Sequence, residues 1–201
     1  MKRSVVIGGG EIKDYERVKS YIEDNDYIIC ADGGYDHAAK MGLDADILIG
    51  DFDSISKVPD DIKKVQYPVR KDLTDSHIAL EYAKDSDEIL LFGFTGDRYD
   101  HSLTNLLLLI SYPNAVIIDD NNEIRLLRNE LKIQGSIGQT VSIIPVNGDL
   151  EGVKTTGLEY PLNGETLYFS DSRGVSNVMT QNECQIYSEK GIALVIKVEK
   201  V

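Results

Sequence analysis

The hydrophobic and polar positions of the chain follow two different periodic patterns, one before and one after residue 120. Before it, short apolar runs alternate with segments whose apolar residues recur every three or four positions, as Val18, Tyr21 and Ile22 do. Apolar strands that alternate with helices are typical of a parallel sheet covered on both faces. The pattern predicts strands at residues 4–7, 27–31, 46–49, 64–67, 88–92 and 115–118.

Three segments of this first part carry helical periodicity. The first surrounds Val18, the second runs from Thr74 to Lys84, and the third runs from His101 to Ser111. The third segment is apolar nearly all round, so we expect its helix to be buried.

The polar run at residues 119–122 ends the helical pattern. Short runs punctuated by glycines follow, and many of them alternate apolar with polar residues, as residues 193–198 do. This spacing favours a small antiparallel sandwich or barrel. The predicted strands lie at residues 124–127, 131–134, 140–145, 152–155, 165–169, 175–180, 183–188 and 192–198. We therefore predict an N-terminal, mostly parallel α/β sheet domain at residues 1–121 and a C-terminal antiparallel β domain at residues 122–201.

Composition narrows the choice of partners. The 201 residues are 42% hydrophobic and 27% charged, which is ordinary for a globular protein. The formal net charge of −13 is the opposite of the basic footprint that nucleic-acid binders show, so we expect no nucleic-acid partner. An anionic substrate would need a local basic patch or a bridging metal ion.

Sequence features also predict a cytoplasmic protein. Cys30 and Cys184 lie far apart and form no metal-binding motif, and Cys30 sits in an apolar run where it reads as a small buried hydrophobe. The basic residues at the start precede only three apolar residues, too few for the core of a signal peptide. The longest apolar run, residues 106–110, is far too short to span a membrane.

Two carboxylates follow the third predicted strand. Asp51 and Asp53 stand two positions apart after Gly50, and residues at that spacing in a strand point to the same side. Neighbouring anions repel, so they need either solvent or a cation between them. A hard divalent ion such as Mg²⁺ would satisfy both, and a solvated polar turn is the alternative.

Unusual residues follow the other predicted strands of the first part as well. They form the groups at residues 8–10, 32–34, 68–75 and 93–101. Each group has an ordinary explanation: glycines make turns, Asp72, Thr74 and Asp100 can cap helices, and Lys71 and Arg98 can be solvated. Ligands of open parallel sheets, however, bind beyond the carboxyl ends of the strands, where all these groups would meet.

This convergence predicts a polyphosphate–Mg²⁺ site. Asp51, Asp53 and Asp75 supply acids for a metal, while Lys71 and Arg98 supply positive charge for phosphate. The chain lacks both the P-loop motif and a complete GxGxxG fingerprint, so it belongs to neither of those nucleotide-binding classes.

The ordered set of motifs resembles the thiamin pyrophosphokinase family over nearly the whole chain. The matching segments are residues 31–34, 50–54, 71–75, 96–101, 156–162 and 172–177. The resemblance implies an α/β domain that binds ATP and Mg²⁺, followed by a β-sandwich that binds thiamin. It also implies the reaction, in which the thiamin hydroxyl attacks the β-phosphorus of ATP, the diphosphate is transferred and AMP leaves.

The resemblance further implies roles for individual residues. The acidic Mg²⁺ site would comprise Asp32, Asp51, Asp53 and Asp75. Lys71 and Arg98 would face the phosphates, and Asp100 would orient the hydroxyl or accept its proton. The candidates for nucleotide contacts are Gly9, Gly33, Gly34, Asp72, Thr74, Thr95 and His101. Positioning and charge neutralisation should matter more than a strong base in such a transfer.

The resemblance also implies a homodimer with thiamin bound at the subunit interface. Ser176 and Asn177 match the sandwich segment that reaches this pocket, although a turn at a strand end is their ordinary explanation. The chain has no tryptophan, so a ring stacked on thiamin must be Tyr or Phe, or an aliphatic face must replace it.

Three alternatives remain open at this point. The first is a diphosphokinase for another heterocyclic alcohol, such as a hydroxymethylpterin, and the second is a non-catalytic nucleotide-sensing module. The third is a Mg²⁺-dependent phosphohydrolase. The match at residues 172–177 favours thiamin as acceptor, and the complete acid set at positions 51, 53, 75 and 100 argues against a sensor.

Overall fold

The computed structural model describes residues 2–58 and 60–199. The chain divides into two compact units, with the division between Asp120 and Asn121. None of the helices in the described residues is both long and apolar enough to cross a membrane.

The first unit is a parallel sheet with helices. Its strands are β1 Arg3–Ile7, β2 Tyr27–Ala31, β3 Ile47–Gly50, β4 Lys63–Gln66, β5 Glu88–Phe92 and β6 Ala115–Ile118. Its helices are α1 Tyr15–Tyr21, α2 Gly34–Met41, α3 Asp75–Ala83 and α4 Tyr99–Leu108. The strand order is β6-β5-β1-β2-β3-β4, and every neighbouring pair is parallel.

The apolar runs that predicted β1, β2, β3, β5 and β6 are buried on both faces of the sheet, whereas the edge strand β4 is mostly exposed. Val5 and Ile7 pack in one core cluster with Val18 of α1 and Met41 of α2. Helix α3 packs on β1, β2 and β3. Cys30 is fully buried, and burial raises the pKa of its thiol to about 12. This agrees with the prediction that Cys30 is a small buried hydrophobic residue.

The second unit is an antiparallel β-sandwich. Its strands are β7 Asn122–Leu127, β8 Glu130–Gln134, β9 Thr140–Pro145, β10 Leu150–Thr156, β11 Asn163–Leu167, β12 Asn177–Val178, β13 Glu183–Tyr187 and β14 Ala193–Val198. One layer has the order β12-β9-β14-β7 and the other β11-β10-β13-β8. Side chains of both layers, among them Val141, Val195, Val153 and Ile186, form one core. The predicted fold class is confirmed.

The expectation that the third helix is buried is wrong. In α4 the side chains of Leu103 and Leu107 are 60% and 41% exposed, and Asn105 is the residue of this helix that is buried. Polar residues inside the apolar segment, Ser102 and Asn105, turn towards the loop after β5 instead. The apolar positions opposite them therefore face away from the core.

Two further details differ from the sequence pattern. Helix α2 was not predicted, because glycines open it. A Cβ on Gly34 would lie 1.9 Å from the carbonyl oxygen of Ile7, so this position packs directly on the end of β1. The predicted strand at residues 175–180 shrinks to Asn177–Val178, since Ser176 adopts a left-handed conformation (φ 62°) that ends the extended backbone.

Candidate functional site

The site lies where the strand order of the parallel sheet reverses. β1 is flanked by β2 on one side and β5 on the other, and the loops after β1 and β5 leave the sheet side by side. The Gly10 amide donates to the Gly93 carbonyl at 2.8 Å, and the Glu11 amide donates to the Thr95 carbonyl at 2.9 Å. Such a reversal opens a crevice beyond the strand ends, which is the usual ligand position in this type of sheet.

A cleft of about 750 Å³ occupies this crevice. It is lined by predicted site residues from each of the strand ends. From the loops after β1, β2 and β3 come Gly9, Asp32, Gly33 and Asp51. From the loops after β4 and β5 and the first turns of the helices that follow them come Lys71, Asp72, Thr74, Asp75, Thr95, Arg98 and His101. The structure thus brings together most of the residues that the sequence singled out.

Three carboxylates converge at one end of this region. Asp32, Asp51 and Asp53 each place one oxygen so that the three oxygens lie within 4.8 Å of one another. Asp53 is exposed, whereas Asp32 and Asp51 are partly buried.

Local turns, and not strand alternation, produce the convergence. β3 ends at Gly50, and Phe52 between the two acids is left-handed (φ 69°). The Phe52 amide donates to Oδ1 of Asp32 at 3.1 Å, and the Asp53 amide donates to Oδ1 of Asp51 at 3.2 Å. These bonds join the loops after β2 and β3 and hold the acids together.

Lys71 joins this group to a fourth acid. Its Nζ lies 3.1 Å from Oδ2 of Asp51 and 3.1 Å from Oδ1 of Asp75, and its side chain is only 12% exposed. Burial acts to lower the pKa of Lys71, but its bonds to the two carboxylates outweigh burial and raise it. The alternative of a solvated lysine is therefore wrong, and the ammonium stays charged between two acids.

The pKa values of Asp51 and Asp75 shift in opposite directions, although Lys71 acts to lower both. The hydrogen bond from Lys71 lowers the pKa of Asp51. Burial raises the pKa of Asp75 in spite of Lys71, and the charges of Asp51 and Asp32 act in the same direction as burial. Oδ1 of Asp75 is buried, and its 3.1 Å contact with Lys71 lacks hydrogen-bond geometry, so we treat it as an ion pair. The ionised Asp75 is thus poorly satisfied by the protein alone.

Thr74 places Asp75 at the cleft by capping helix α3. Its hydroxyl oxygen accepts the amide of His77 at 3.3 Å, which confirms the predicted cap. Asp75 is the first residue of the helix, while Asp72 is exposed at the cleft wall.

Arg98 and Asp100 form an exposed pair. Nε and Nη2 of Arg98 lie 2.9 Å and 2.7 Å from the two oxygens of Asp100. The Arg98 guanidinium holds the pKa of Asp100 well below its usual range, so this carboxylate is a weak base and is suited to orienting. The ordinary alternative, that Asp100 caps α4, is wrong, because the residue at the cap position is Arg98.

Some predicted residues lie elsewhere. Among the described residues, Gly34, Asp53 and Asp100 are not part of the cleft wall, and Gly34 serves the packing on β1 described above. Ser176 and Asn177 belong to the second unit.

The Asn177 side chain is engaged by its own unit. Its Oδ1 accepts the Tyr160 amide at 3.1 Å, and its Nδ2 donates to the Tyr160 carbonyl at 2.7 Å. Asn177 therefore holds the backbone of Tyr160, whose own side chain is 64% exposed.

Sequence reasoning missed several residues of the cleft. His37 lines it from α2, and Ser102 and Asn105 line it from α4. Nδ2 of Asn105 donates to the Phe94 carbonyl at 2.8 Å, and the Ser102 hydroxyl accepts the Gly96 amide at 3.1 Å. The sequence signal for these two bonds to the loop after β5 was a pair of polar residues three positions apart in an otherwise apolar helix. His37 had no comparable signal, because its helix was not predicted.

The acids fit a magnesium ion. Mg²⁺ takes oxygen ligands at about 2.1 Å, so oxygens on opposite sides of one ion are about 4.2 Å apart. The oxygens of Asp32, Asp51 and Asp53 all lie within 4.8 Å of one another, which is close to the spacing that one such ion requires. The donor set consists of oxygen alone, which suits a hard cation.

Fold and site together define a class: an α/β unit with an acidic, glycine-walled cleft at its strand ends, followed by a β-sandwich. Residues 18–119 match the family model described as the thiamin pyrophosphokinase catalytic domain. Residues 122–193 match the model of the thiamin pyrophosphokinase vitamin B1 binding domain. The chain belongs to the thiamin pyrophosphokinase family.

Individual relatives agree with this assignment. The chain is 29% identical to thiamine pyrophosphokinase of Bacillus subtilis (strain 168), with 98% of this chain and 99% of the relative covered. The crystal structure of the Bacillus subtilis enzyme superposes with a TM-score of 0.90 at 27% identity, covering 100% of both chains. That of Geobacillus thermodenitrificans superposes with a TM-score of 0.86 at 26% identity, covering 100% of this chain and 98% of the other.

Proposed function

We propose that this protein transfers the diphosphate group of ATP to the hydroxyl of thiamin and releases thiamin diphosphate and AMP. As a member of its family the chain is a transferase. The observation that carries the proposal is the convergence of Asp32, Asp51 and Asp53 beside Lys71, at the cleft of the unit that matches the catalytic-domain model.

The acids would hold the magnesium ion. Asp32, Asp51 and Asp53 supply its ligands, with Asp75 on the other side of Lys71. When bound, Mg²⁺ neutralises charge on the polyphosphate and fixes its orientation. The poorly satisfied carboxylate of Asp75 supports a site that awaits a cation.

Two cationic side chains would contact the phosphates. Lys71 is held in place by its two ion pairs, and it presents a fixed positive charge to the cleft. Arg98 is exposed at the cleft wall, where its pairing with Asp100 keeps it oriented. Both charges stabilise the negative charge that develops during transfer. We assign Asp100 to orienting the reacting groups, because its lowered pKa makes it a weak proton acceptor.

The remaining cleft residues would contact the nucleotide. Gly9 and Gly33 are open positions that let backbone approach a ligand, since a Cβ on either would meet only ordinary contacts at 3.6 Å or more. Asp72, Thr74, Thr95 and His101 provide polar groups on the same wall.

The two units would divide the substrates, with ATP and Mg²⁺ at residues 1–121 and thiamin at residues 122–201. The exposed ring of Tyr160, a residue whose backbone Asn177 holds, supports a role of the sandwich in binding a heterocycle. Ser176, next to Asn177, is exposed and is our candidate for a polar contact with thiamin.

We further propose a homodimer with the active site at the subunit interface. Tyr99, Leu103 and Leu107 are spaced by four residues on one face of α4 and are 86%, 60% and 41% exposed. An apolar stripe of this kind supports association between chains. Sedimentation of wild type and Leu103→Glu tests the proposal. We expect wild type to be a dimer and the introduced charge to dissociate it, and a monomeric wild type would contradict the proposal.

A cytoplasmic location stays a prediction from the sequence.

One assay tests the reaction. The protein is incubated with ATP and Mg²⁺, alone and with thiamin or a hydroxymethylpterin, and AMP, phosphate and diphosphate are quantified. We expect AMP only when thiamin is present. AMP formed only with the pterin would show that the acceptor is a pterin and not thiamin. Phosphate or diphosphate released without an acceptor would indicate a hydrolase. No product under any condition would favour a sensing module.

A further inference from the structure

His37 connects three elements at the wall of the cleft. One ring nitrogen, Nε2, lies 2.9 Å from the carbonyl oxygen of Gly10 in the loop after β1. The other, Nδ1, lies 2.9 Å from the hydroxyl of Tyr15, the first residue of α1. His37 itself projects from α2 and is half-buried. The imidazole therefore ties both helices on this face to the glycine loop.

The two bonds define where the imidazole proton resides. A carbonyl oxygen can only accept, so Nε2 carries the proton that bonds Gly10. Nδ1 is then the acceptor for the Tyr15 hydroxyl in the neutral ring. Burial lowers the pKa of His37, which keeps this neutral form at pH 7 against the opposing effect of the Gly10 bond.

The bond to Gly10 fixes a peptide plane inside the cleft. A trans peptide points its carbonyl and its amide to opposite sides. The unit between Gly10 and Glu11 is held at both ends, by His37 on the carbonyl and by the Thr95 carbonyl, 2.9 Å away, on the Glu11 amide. The position is tight, because a Cβ on Gly10 would lie 2.4 Å from the Thr95 oxygen. His37 thereby sets the orientation of the loop after β1, in which Gly9 is exposed.

We propose that His37 is a positioning residue for nucleotide binding, which it serves by locking the Gly9–Gly10 loop in the orientation that receives the ATP phosphates. This inference rests on the proposed function, because it assigns the cleft to ATP. Tyr15 assists by keeping the proton of His37 on Nε2. The role is distinct from that of the acids, since His37 acts on backbone and needs no contact with the metal.

The test compares His37→Leu with His37→Gln in the full chain. Leucine removes the donor to Gly10, so we expect the KM for ATP to rise about tenfold while the KM for thiamin stays within about twofold. The amide of glutamine can again donate to the Gly10 carbonyl, and we expect it to restore the ATP KM to within about threefold of wild type. Titration calorimetry of ATP with Mg²⁺, in the absence of thiamin, should show the same order of affinities.

Two tyrosine variants separate positioning from a general loss of stability. Tyr15→Phe removes the hydroxyl that bonds His37, and Tyr112→Phe removes one that bonds Glu81 away from the cleft. We expect both to lower the melting temperature, but only Tyr15→Phe to raise the KM for ATP. An unchanged ATP KM in His37→Leu, or an equal rise in Tyr112→Phe, would overturn the role of His37. If wild type forms no thiamin-dependent AMP, the proposed reaction fails, while calorimetry still decides on His37.

Discussion

Two lysines of this protein each lie between two carboxylates, and their surroundings differ. In the first unit, Lys71 contacts Asp51 and Asp75, and Asp32 and Asp53 lie beside Asp51. We call these five residues the acidic cluster; it contains four carboxylates and one ammonium. It lies at a cleft, so the surplus of negative charge faces a space that a ligand can enter.

In the second unit, Lys197 lies 2.8 Å from Glu123 and 3.6 Å from Glu199. Arg125 bonds the other oxygen of Glu123 at 2.6 Å. These four residues, the sandwich network, contain two acids and two bases. The Lys197 ammonium also donates to the Gln134 carbonyl at 3.0 Å, and its side chain is 10% exposed.

The difference separates function from stability. Buried charges persist when they are paired, and the sandwich network pairs each of its charges. The acidic cluster keeps carboxylates that its lysine cannot neutralise, an arrangement that costs stability unless a cation binds. We therefore interpret similar residue types as the proposed binding site in one unit and as a structural link in the other.

The largest expected effect is on turnover in the acidic cluster. Asp51→Asn or Asp53→Asn removes one ligand charge, and we expect turnover to fall on the order of 10²–10³-fold without unfolding. Mg²⁺ should raise the melting temperature of wild type, because it binds only the folded state, and the shift should be smaller in either variant.

The control for these variants is Asp24→Asn, which changes an exposed acid outside the cleft. It should keep both turnover and the Mg²⁺-induced shift. Near-wild-type turnover of Asp51→Asn at saturating Mg²⁺ would reject the metal role of the cluster and with it the contrast between the two units.

The second effect concerns stability in the sandwich network. Burial acts to raise the pKa of Glu123, but Arg125 and Lys197 outweigh burial and lower it, so the ionised form stabilises the folded state. Glu123→Gln leaves Lys197 underpaired in a buried position, and we expect the free energy of unfolding to fall by about 3 kcal/mol. Urea denaturation measures it.

Glu151→Gln is the matched control, since it breaks an exposed pair with Lys190 in the same unit. Its denaturation midpoint should stay at the wild-type value. Turnover of Glu123→Gln well below its transition should also be unchanged. A loss of turnover in the folded variant would show that the network serves more than stability.

The fold could be predicted from the pattern because burial imposes it. The strands at 27–31, 88–92 and 115–118 have the bounds that their apolar runs indicated. Because ligands of open parallel sheets bind beyond the strand ends, Asp32, Asp51 and Lys71 could also be predicted to lie at one cleft. These features follow from positions along the chain alone.

The remaining features depend on contacts that no periodicity encodes. Asp51 and Asp53 converge through the left-handed Phe52, and helix α2 with His37 begins at glycines whose packing is visible only in three dimensions. The exposure of α4 could not be inferred from its composition, since two polar residues decide which face turns inward.

The third effect tests what the sandwich contributes besides stability. We proposed above that acceptor recognition involves the exposed segment at Ser176. Ser176→Ala should raise the KM for thiamin about fivefold and leave that for ATP unchanged, as expected for the loss of one hydrogen bond. Ser170→Ala is the matched control, because Ser170 is also exposed and left-handed (φ 64°). Equal changes in both KM values would remove the sandwich from acceptor recognition.

The smallest expected effect concerns Asp75, whose pKa shifts in the opposite direction to that of Glu123 in the sandwich. The folded protein raises the pKa of Asp75, chiefly through burial, so ionisation of this group costs stability as the pH rises from its ordinary value of 3.8 through the raised one. Asp75 also opens α3, where a negative charge is favourable, but burial and the neighbouring acids outweigh that gain.

Asp75→Asn should therefore stabilise the metal-free protein at pH 7 by about 0.5 kcal/mol, a rise of about 1–2 °C in the melting temperature measured in EDTA. The gain should vanish below about pH 3.8, where the wild-type group is neutral as well. An acid-to-amide change beside a lysine would then stabilise the cleft and destabilise the sandwich. A lower melting temperature for Asp75→Asn at pH 7 would mean that the acidic cluster is as well balanced as the sandwich network, and the charge imbalance could no longer be taken as the mark of a cation site.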